Sequence, residues 1–423
     1  MKSTELNAFK NEAIETINRI ETENSNLFEL KWFLDTASLR FKSAYLNTVR
    51  QQLIVLGNDI PAEIIYAVCD QPFYVLGGSL GTAHWADEMT PRDTDPFSRS
   101  SLGWLINPEF DITKDSLIVT AVSSDSRRKL ISILQNAGRN VAAMDIPPMS
   151  ATLNATKFYK EQLITLAEKI GKHTGKHLTG GNLKRSVKKV ARAHRYWNRF
   201  HEAVYAARGF ISDEAVLLVN QCMYFADSLD EWMIHTSRLI GELDALSKRF
   251  ALTQKDKPKV MILGSPVVFP NYKVPQLIAS AGMRIAAVAD SLSLEADLAV
   301  PKVKRTISAD KLLDQIVAEH LQATSSGAKV NNEGLYSYFM YQLRQLQPDG
   351  IVCHILKGQI EYDFELPMIE KAAEEAGIPV FRLETDYQYQ DMEQLRIRME
   401  AFGEMLTQRI ILIINCGVCY GYV

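Results

Sequence analysis

The stretch DSLIVTAVSSDSRRKLISILQNAG, residues 115–138, contains the pattern on which the fold prediction depends. Its first ten residues are an apolar run that ends in the small polar pair Ser123-Ser124, which predicts a buried strand. The remainder spaces its apolar residues by three and four positions up to Gly138, which predicts an amphipathic helix. A buried strand followed directly by an amphipathic helix is typical of a parallel α/β sheet.

The same pattern occurs on both sides of this stretch. In the first half, two further strands are predicted at QPFYVLGGS (71–79) and NVAAMDIPPM (140–149). In the second half, four strands are predicted at PKVMILGSP (258–266), MRIAAVAD (283–290), DGIVCHIL (349–356) and IPVFRLETD (378–386). We therefore predict an α/β protein with two parallel-sheet domains of the Rossmann or flavodoxin type, joined by a helical segment.

The predicted boundaries follow these pattern changes. They give N-terminal helices over 1–56, a first α/β domain over 57–170, a helical connector over 171–255 and a second α/β domain over 256–423. Ligands of parallel sheets bind beyond the carboxyl ends of the strands, so functional residues are expected in the loops that follow each strand.

Composition excludes several classes of protein. The chain has 423 residues, of which 47% are hydrophobic, and a net charge of -3, so no general positive field indicates binding to nucleic acid or a membrane surface. Five cysteines, an odd number, argue against a secreted disulfide framework. The first residues lack the apolar core of a signal peptide, and we expect a cytoplasmic protein.

Two motifs invite a functional interpretation but have a plain structural alternative. Gly77, Gly78 and Ser79 follow a predicted strand and could offer amides to a phosphate, although a plain tight turn is the favoured interpretation. The run 184–199 contains seven basic residues, among them Lys188 and Lys189, and no acid. It could contact coenzyme A phosphates, RNA or a partner protein, or it is simply the solvated face of a helix.

Several segments, taken in order, resemble one family, the large component D subunits of 2-hydroxyacyl-CoA dehydratases and of their relatives, the ATP-dependent benzoyl-CoA reductases. The resemblance covers about residues 50 to 407 and rests on PAEIIYAVCDQPFYVLGG (61–78), DPFSRSSLGWL (95–105), TAVSSDSRRKL (120–130), MDIPPM (144–149), DGIVCHILKGQIEYDFELP (349–367) and GIPVFRLETDYQYQ (377–390).

The resemblance implies radical chemistry in anaerobic metabolism. In the family, an iron–sulfur ATPase activator passes one electron to a heterodimer of two related large subunits. A typical large subunit holds a [4Fe–4S] cluster through three cysteines. The electron reaches the acyl-CoA thioester, and the resulting ketyl radical expels the hydroxyl group as water. In the reductases the electron reduces an aromatic ring instead.

This chain departs from the family at all three cysteine positions, which correspond to Asp95, Ser124 and Gln359. Carboxylate, hydroxyl and amide groups are poor replacements for thiolates around an iron–sulfur cluster. We therefore expect no cluster, no metal and no other cofactor on this chain, and a [4Fe–4S] cluster in a paralogous partner subunit.

Two functions stay open for a chain of this kind. It is either the supporting subunit of a cluster-bearing partner, in a dehydratase or in a ring reductase, or a binding or regulatory protein that reuses the fold. In both cases Asp95, Ser124 and Gln359 are predicted to converge at the mouth of the cleft between the two α/β domains. The alternative for Asp95 and Ser124 is that each merely caps the helix that follows it.

Overall fold

The computed structural model of the chain describes residues 2–42, 53–107, 115–149, 152–249, 257–296, 301–304, 306–323, 329–330 and 333–420. Within these residues, eight strands form two four-stranded sheets in which every pair of neighbours is parallel. The strands are β1 (Leu53–Leu56), β2 (Phe73–Val75), β3 (Leu117–Val122), β4 (Val141–Asp145), β5 (Lys259–Gly264), β6 (Arg284–Ala289), β7 (Gly350–Leu356) and β8 (Val380–Thr385).

The two sheets have the same topology, which confirms the predicted fold class. The spatial order is β2-β1-β3-β4 in the first sheet and β6-β5-β7-β8 in the second. In the first sheet the strand order therefore reverses between β1 and β3, and in the second sheet it reverses between β5 and β7. Crevices at such points, outside the carboxyl ends of the strands, are the usual ligand sites of open α/β sheets.

Helices cover both sheets and fill the space between them. They are α1 (Lys2–Glu23), α2 (Leu30–Leu39), α3 (Ala62–Val68), α4 (Leu80–Ala83), α5 (Pro96–Ile106), α6 (Asp125–Asn136), α7 (Leu153–Thr174), α8 (Gly180–Ala206), α9 (Asp213–Phe225), α10 (Leu229–Arg249), α11 (Lys273–Ser280), α12 (Ser291–Ala296), α13 (Ala309–Ala323), α14 (Glu333–Leu346), α15 (Glu361–Glu375) and α16 (Met392–Tyr420). None of these helices combines the length and the apolar composition needed to cross a bilayer.

Strand residues alternate between two apolar layers. Ile54, Leu56 and Ile118 pack with Leu102 and Leu130 of α5 and α6. The side chains between them, including Leu53, Val55 and Val119, face a larger core built with the central helices. Because successive strand side chains point to opposite faces, a sheet covered on both sides requires continuous apolar runs, as the sequence has.

The predicted helical pattern over 1–56 is wrong at its end, because Leu53–Leu56 form β1. This strand pairs with both β2 and β3, so it lies inside the first sheet and moves the start of that domain to residue 53 or earlier. A four-residue apolar run cannot be assigned to a strand or a buried helix from its spacing alone. The prediction for residues 43–52 lies outside the described residues.

The predicted boundary at residue 170 falls inside the continuous helix α7. α7 packs on β1 and β4, and α8 packs on α3, so this helical segment covers the first sheet instead of merely linking two domains. The helical prediction itself holds, since α7 to α10 contain all of the described residues between 153 and 249 except short turns.

The two α/β domains meet through the loops that follow their strands. Asn58, after β1, donates a hydrogen bond to the carbonyl of Ser291, after β6 (3.0 Å). Gly78, after β2, accepts one from the amide of Asn271 (3.0 Å). A Cβ atom on Gly78 would lie 2.4 Å from the carbonyl oxygen of Phe269, so the two backbones are in direct contact. The carboxyl ends of the two sheets therefore face each other.

Glu12 of α1 connects the N-terminal helix to both domains. Its carboxylate accepts hydrogen bonds from the hydroxyl of Ser79 (2.9 Å), the amide of Leu80 (3.1 Å) and the side-chain amide of Asn271 (3.1 Å). The hydroxyl of Tyr389 lies 3.5 Å away. Burial, only partly offset by these donors, raises the pKa of Glu12 from 4.5 to about 7.

We expect Glu12 to make stability depend on pH. A carboxyl group whose pKa is higher in the folded than in the unfolded state lowers the free energy of unfolding as the pH rises from its unfolded pKa to its folded one. For Glu12 this range runs from 4.5 to about 7. Urea unfolding at several pH values should show a decrease that is smaller in Glu12→Gln.

The matched control for this experiment is Glu15→Gln, because Glu15 is exposed on the same helix. It should keep the pH dependence of the unsubstituted protein. If Glu12→Gln and Glu15→Gln gave identical slopes, the contribution assigned to Glu12 would be wrong.

Candidate functional site

The structure brings Asp95 and Gln359 into direct contact across the junction of the two domains. The side-chain amide of Gln359 donates to Asp95 Oδ1 at 3.2 Å. Asp95 is 2% exposed and Gln359 is 9% exposed, so this hydrogen bond is shielded from water. A hydrogen bond to a charged group contributes more than a neutral one, and this one joins the first domain to the second.

Ser265 extends this contact into the second sheet. Its hydroxyl donates to Gln359 Oε1 (2.7 Å) and accepts from the amide of Leu356 (2.8 Å). Its carbonyl lies 2.9 Å from Nδ1 of His354, and burial lowers the pKa of His354 to about 4, so a neutral imidazole donates this bond. We call the chain Asp95–Gln359–Ser265 the polar latch.

Gly358 allows the loop that carries Gln359 to approach the backbone next to Asp95. It adopts φ +90°, and a Cβ atom there would lie 2.4 Å from the carbonyl oxygen of Asp93 and 3.0 Å from the amide of Asp95. Both the positive φ and the close approach require glycine. The loop after β7 is therefore seated on the backbone that leads into α5.

Asp95 and Ser124 are also helix caps, as the alternative interpretation expects. Asp95 Oδ1 accepts from the amide of Ser98 (2.8 Å) at the start of α5. Ser124 Oγ accepts from the amide of Arg127 (3.1 Å) at the start of α6. Within the described chain, Ser124 has no hydrogen bond to Asp95 or Gln359, so only two of the three predicted residues meet directly.

Arg127 provides the link between Ser124 and the latch. Its guanidinium is buried, with 3% of the residue exposed, and it interacts electrostatically with Asp59 and Asp95. Burial raises the pKa of Asp59, and the charge of Arg127 opposes this increase. One arginine thus balances two buried carboxylates, one after β1 and one at the start of α5.

The surroundings of the latch are acidic. Burial raises the pKa of Glu361, in the first turn of α15, and the charges of Asp95 and Asp125 raise it further. Asp290, after β6, also has a pKa raised by burial. This part of the cleft therefore disfavours anions.

The loop of Gly77, Gly78 and Ser79 makes its contacts within the protein, and a coenzyme A contact there stays a prediction. Ser79 donates its amide to the hydroxyl of Ser100 (2.9 Å) and its own hydroxyl to Glu12. Gly77 and Gly78 pack on the backbones of Phe97 and Phe269. These polar groups serve contacts within the protein, so the tight-turn interpretation explains this loop.

The basic helix is likewise explained by packing. α8 buries Leu183, Val187, Val190 and Trp197 on one face, and the basic residues occupy the other. Lys189 pairs with Asp230 (2.9 Å), whereas Lys188 is exposed. The solvated-face interpretation accounts for this arrangement, and a partner contact at Lys188 stays a prediction.

Residues 58–406 match the 2-hydroxyglutaryl-CoA dehydratase D-component family. The chain belongs to this family. It is similar to the (R)-phenyllactyl-CoA dehydratase beta subunit of Clostridium sporogenes, with 21% identity over 353 residues that cover 82% of this chain and 89% of the relative. It is also similar to the putative dehydratase subunit YjiM of Escherichia coli K12, with 22% identity over 357 residues and the same coverage.

Membership confirms the resemblance and identifies this D-component chain as a dehydratase subunit of the 2-hydroxyacyl-CoA type. Both relatives are named as dehydratase subunits, and one of them acts on (R)-phenyllactyl-CoA. The chain thus belongs to a lyase-type family whose members act as subunits on acyl-CoA compounds.

The residues of the junction do not fit a [4Fe–4S] cluster. Such clusters are held by thiolates, whereas the latch consists of a carboxylate, an amide and a hydroxyl that are bonded to one another. Cys69, Cys222 and Cys353 are buried. Burial raises the pKa of all three thiols, to about 11 for Cys69 and about 12 for Cys353, which keeps them protonated. The side chains of Cys416 and Cys419 lie outside the described part.

Two residues of the junction were not among the predicted site residues. Ser265 belongs to the Gly264-Ser265-Pro266 strand end, so its position after β5 was a usable signal. Arg127 is the first of two adjacent arginines, and it precedes Leu130, Ile131 and Leu134 by three, four and seven residues. This spacing places Arg127 on the buried face of α6 and Arg128 toward solvent, so it was a usable signal for burial, whereas the partners Asp59 and Asp95 were not predictable.

We expect Gly358→Ala to lower the free energy of unfolding more than a control substitution that introduces backbone strain without a clash between the domains. Gly282 also has a positive φ, +70°, but a Cβ atom added there would have no other atom within 4 Å, so Gly282→Ala introduces backbone strain alone. Gly358→Ala adds a clash with Asp93 and should lower the free energy of unfolding by a further ~1–3 kcal/mol. Equal losses in urea unfolding would show that the latch loop does not need its close approach.

Proposed function

We propose that this chain is the clusterless subunit of a hetero-oligomeric 2-hydroxyacyl-CoA dehydratase-type enzyme. In this proposal it supports a paralogous large subunit that carries the [4Fe–4S] cluster, and an iron–sulfur ATPase activator supplies the electron. The observation that carries the proposal is the hydrogen bond from Gln359 to Asp95, because it joins two of the three positions that correspond to cluster cysteines.

The polar latch gives the chain a structural role in that enzyme. Asp95, Gln359 and Ser265 satisfy one another's hydrogen bonds, and buried polar groups that are fully paired fix a single arrangement of the elements that carry them. The two α/β domains are therefore held in one relative position without metal. The loss of water from a 2-hydroxyacyl-CoA would then occur at the partner subunit.

An exposed apolar stripe next to the latch supports a partner on this face. Ile360, Phe364 and Met368 lie four residues apart along the start of α15 and are 64%, 80% and 40% exposed. Residues at this spacing share one side of a helix. Contiguous exposed apolar surface of this kind indicates a protein–protein contact. The stripe begins at Ile360, the residue that follows Gln359 of the polar latch.

The iron content of the purified complex tests the proposal. After anaerobic purification, the chain alone should contain no iron, and its complex with a cysteine-bearing paralogue should contain about four iron atoms and about four sulfides. Cys69→Ser and Cys353→Ser should leave the iron content of the complex unchanged. A full cluster on the chain by itself would overturn the proposal.

Subunit pairing provides an independent test. Phe364→Asp should weaken pairing by about 30-fold or more, since central interface aromatics contribute ~2 kcal/mol or more. Phe28→Asp is the matched control, because Phe28 is 84% exposed but lies in the turn between α1 and α2. Analytical ultracentrifugation of the mixed subunits gives both affinities.

The outcome of this test also separates the alternative functions. If the chain pairs with no cysteine-bearing paralogue and stays a stable, ligand-binding monomer, it is a binding protein that reuses the fold. If the paired complex reduces an aromatic acyl-CoA ring and eliminates no water, it is a subunit of the reductase type.

A further inference from the structure

A cavity of about 220 Å³ lies between the start of α5, the start of α6 and the loop that precedes α5. It borders the polar latch, since Asp93 and Thr94 line the cavity and Asp95 follows them directly. Clefts for drug-sized ligands enclose roughly 300–1,000 Å³. This cavity therefore suits a molecule much smaller than an acyl-CoA.

The cavity is polar at one end and apolar at the other. On α6, Ser126, Leu130 and Ile133 follow one another at spacings of four and three residues, which places them on one side of the helix. α5 contributes Ser98 and Leu102 to the same lining, again with the serine nearer the start of the helix. Leu102 is 0% exposed. Serines line the end where both helices begin, and aliphatic side chains line the deeper end.

Three charged side chains surround the polar end. Asp93 comes from the loop, and Asp125 and Lys129 come from one face of α6, four residues apart. All three are exposed, and none forms an ion pair with another described residue. Two carboxylates beside one ammonium group are thus available for a ligand that carries both charges.

The charge balance disfavours coenzyme A phosphates as the ligand of this cavity. Asp93 and Asp125 line it directly, and Asp125 together with Asp95 already raises the pKa of Glu361 nearby. A phosphate would meet at least as much repulsion as attraction here. A cationic group, in contrast, gains from both aspartates.

We propose that this cavity binds a small zwitterion with an apolar side chain, that is, an apolar α-amino acid. Its ammonium group pairs with Asp93 and Asp125, and its carboxylate pairs with Lys129 at the end where α5 and α6 begin. Its apolar side chain lies against Ile133, the partly exposed aliphatic residue of the lining. This site is formed by residues of this chain alone, so binding does not depend on the partner subunit.

Calorimetric titration of the full chain with L-phenylalanine and with phenyllactate tests the site. The two probes differ only in an ammonium group where phenyllactate has a hydroxyl group. L-Phenylalanine should bind saturably, and phenyllactate at least about tenfold more weakly, as expected for loss of a charged hydrogen bond. Equal affinity for the two, or no binding of L-phenylalanine, would overturn the proposal.

Substitutions locate the binding to this cavity. Asp93→Asn lies in a loop and removes one ammonium partner without touching a helix, so affinity for L-phenylalanine should fall about tenfold. Lys129→Gln should reduce it similarly. Arg128→Gln is the matched control, because Arg128 neighbours Lys129 but faces Asp145 (3.8 Å), and it should bind normally. Unchanged affinity in Asp93→Asn and Lys129→Gln would refute the site, whatever the result of subunit pairing.

Discussion

The hydrogen bond between Gln359 and Asp95 is the contact around which the two halves of the molecule are arranged. It is buried. Removal of Asp95 would leave the desolvated side-chain amide of Gln359 without this acceptor, whereas Asp95 would keep the amide of Ser98 as a donor. Gly358 must be glycine for the loop to approach Asp93, and Ser265 must be present to hold the other end of the Gln359 amide. Together with the contacts of Asn58, Gly78 and Glu12, these residues join the two sheets.

This arrangement explains how a member of a dehydratase family can keep the fold without the thiolates expected at its centre. The carboxyl ends of both sheets converge where chemistry normally occurs in such folds. Here the converging groups bond to one another, with Arg127 balancing Asp59 and Asp95. The junction therefore connects the two domains through side-chain hydrogen bonds, and Asp93, Asp125 and Lys129 beside it form no ion pair with any described residue.

The strands were predictable wherever an apolar run was long enough to stand out. Seven of the eight described strands coincide with predicted ones, and β1 was missed because four residues carry no usable period. The caps at Asp95 and Ser124 were also predictable, since short polar side chains before a helix have few other roles. The charge partners of Arg127 were not, because Asp59 comes from the loop after β1 and Asp95 from the start of α5.

The sequence by itself determined the two parallel sheets, the family and the absence of cysteines at the three expected positions, because these are properties of local pattern and residue identity. The tertiary structure alone decided that Asp95 meets Gln359, that Ser124 has no hydrogen bond to either in the described part of the chain, and that the glycine loop after β2 is used for packing. Hydrogen bonds between residues more than 200 positions apart depend on how the domains dock. Local spacing carries no information about that geometry.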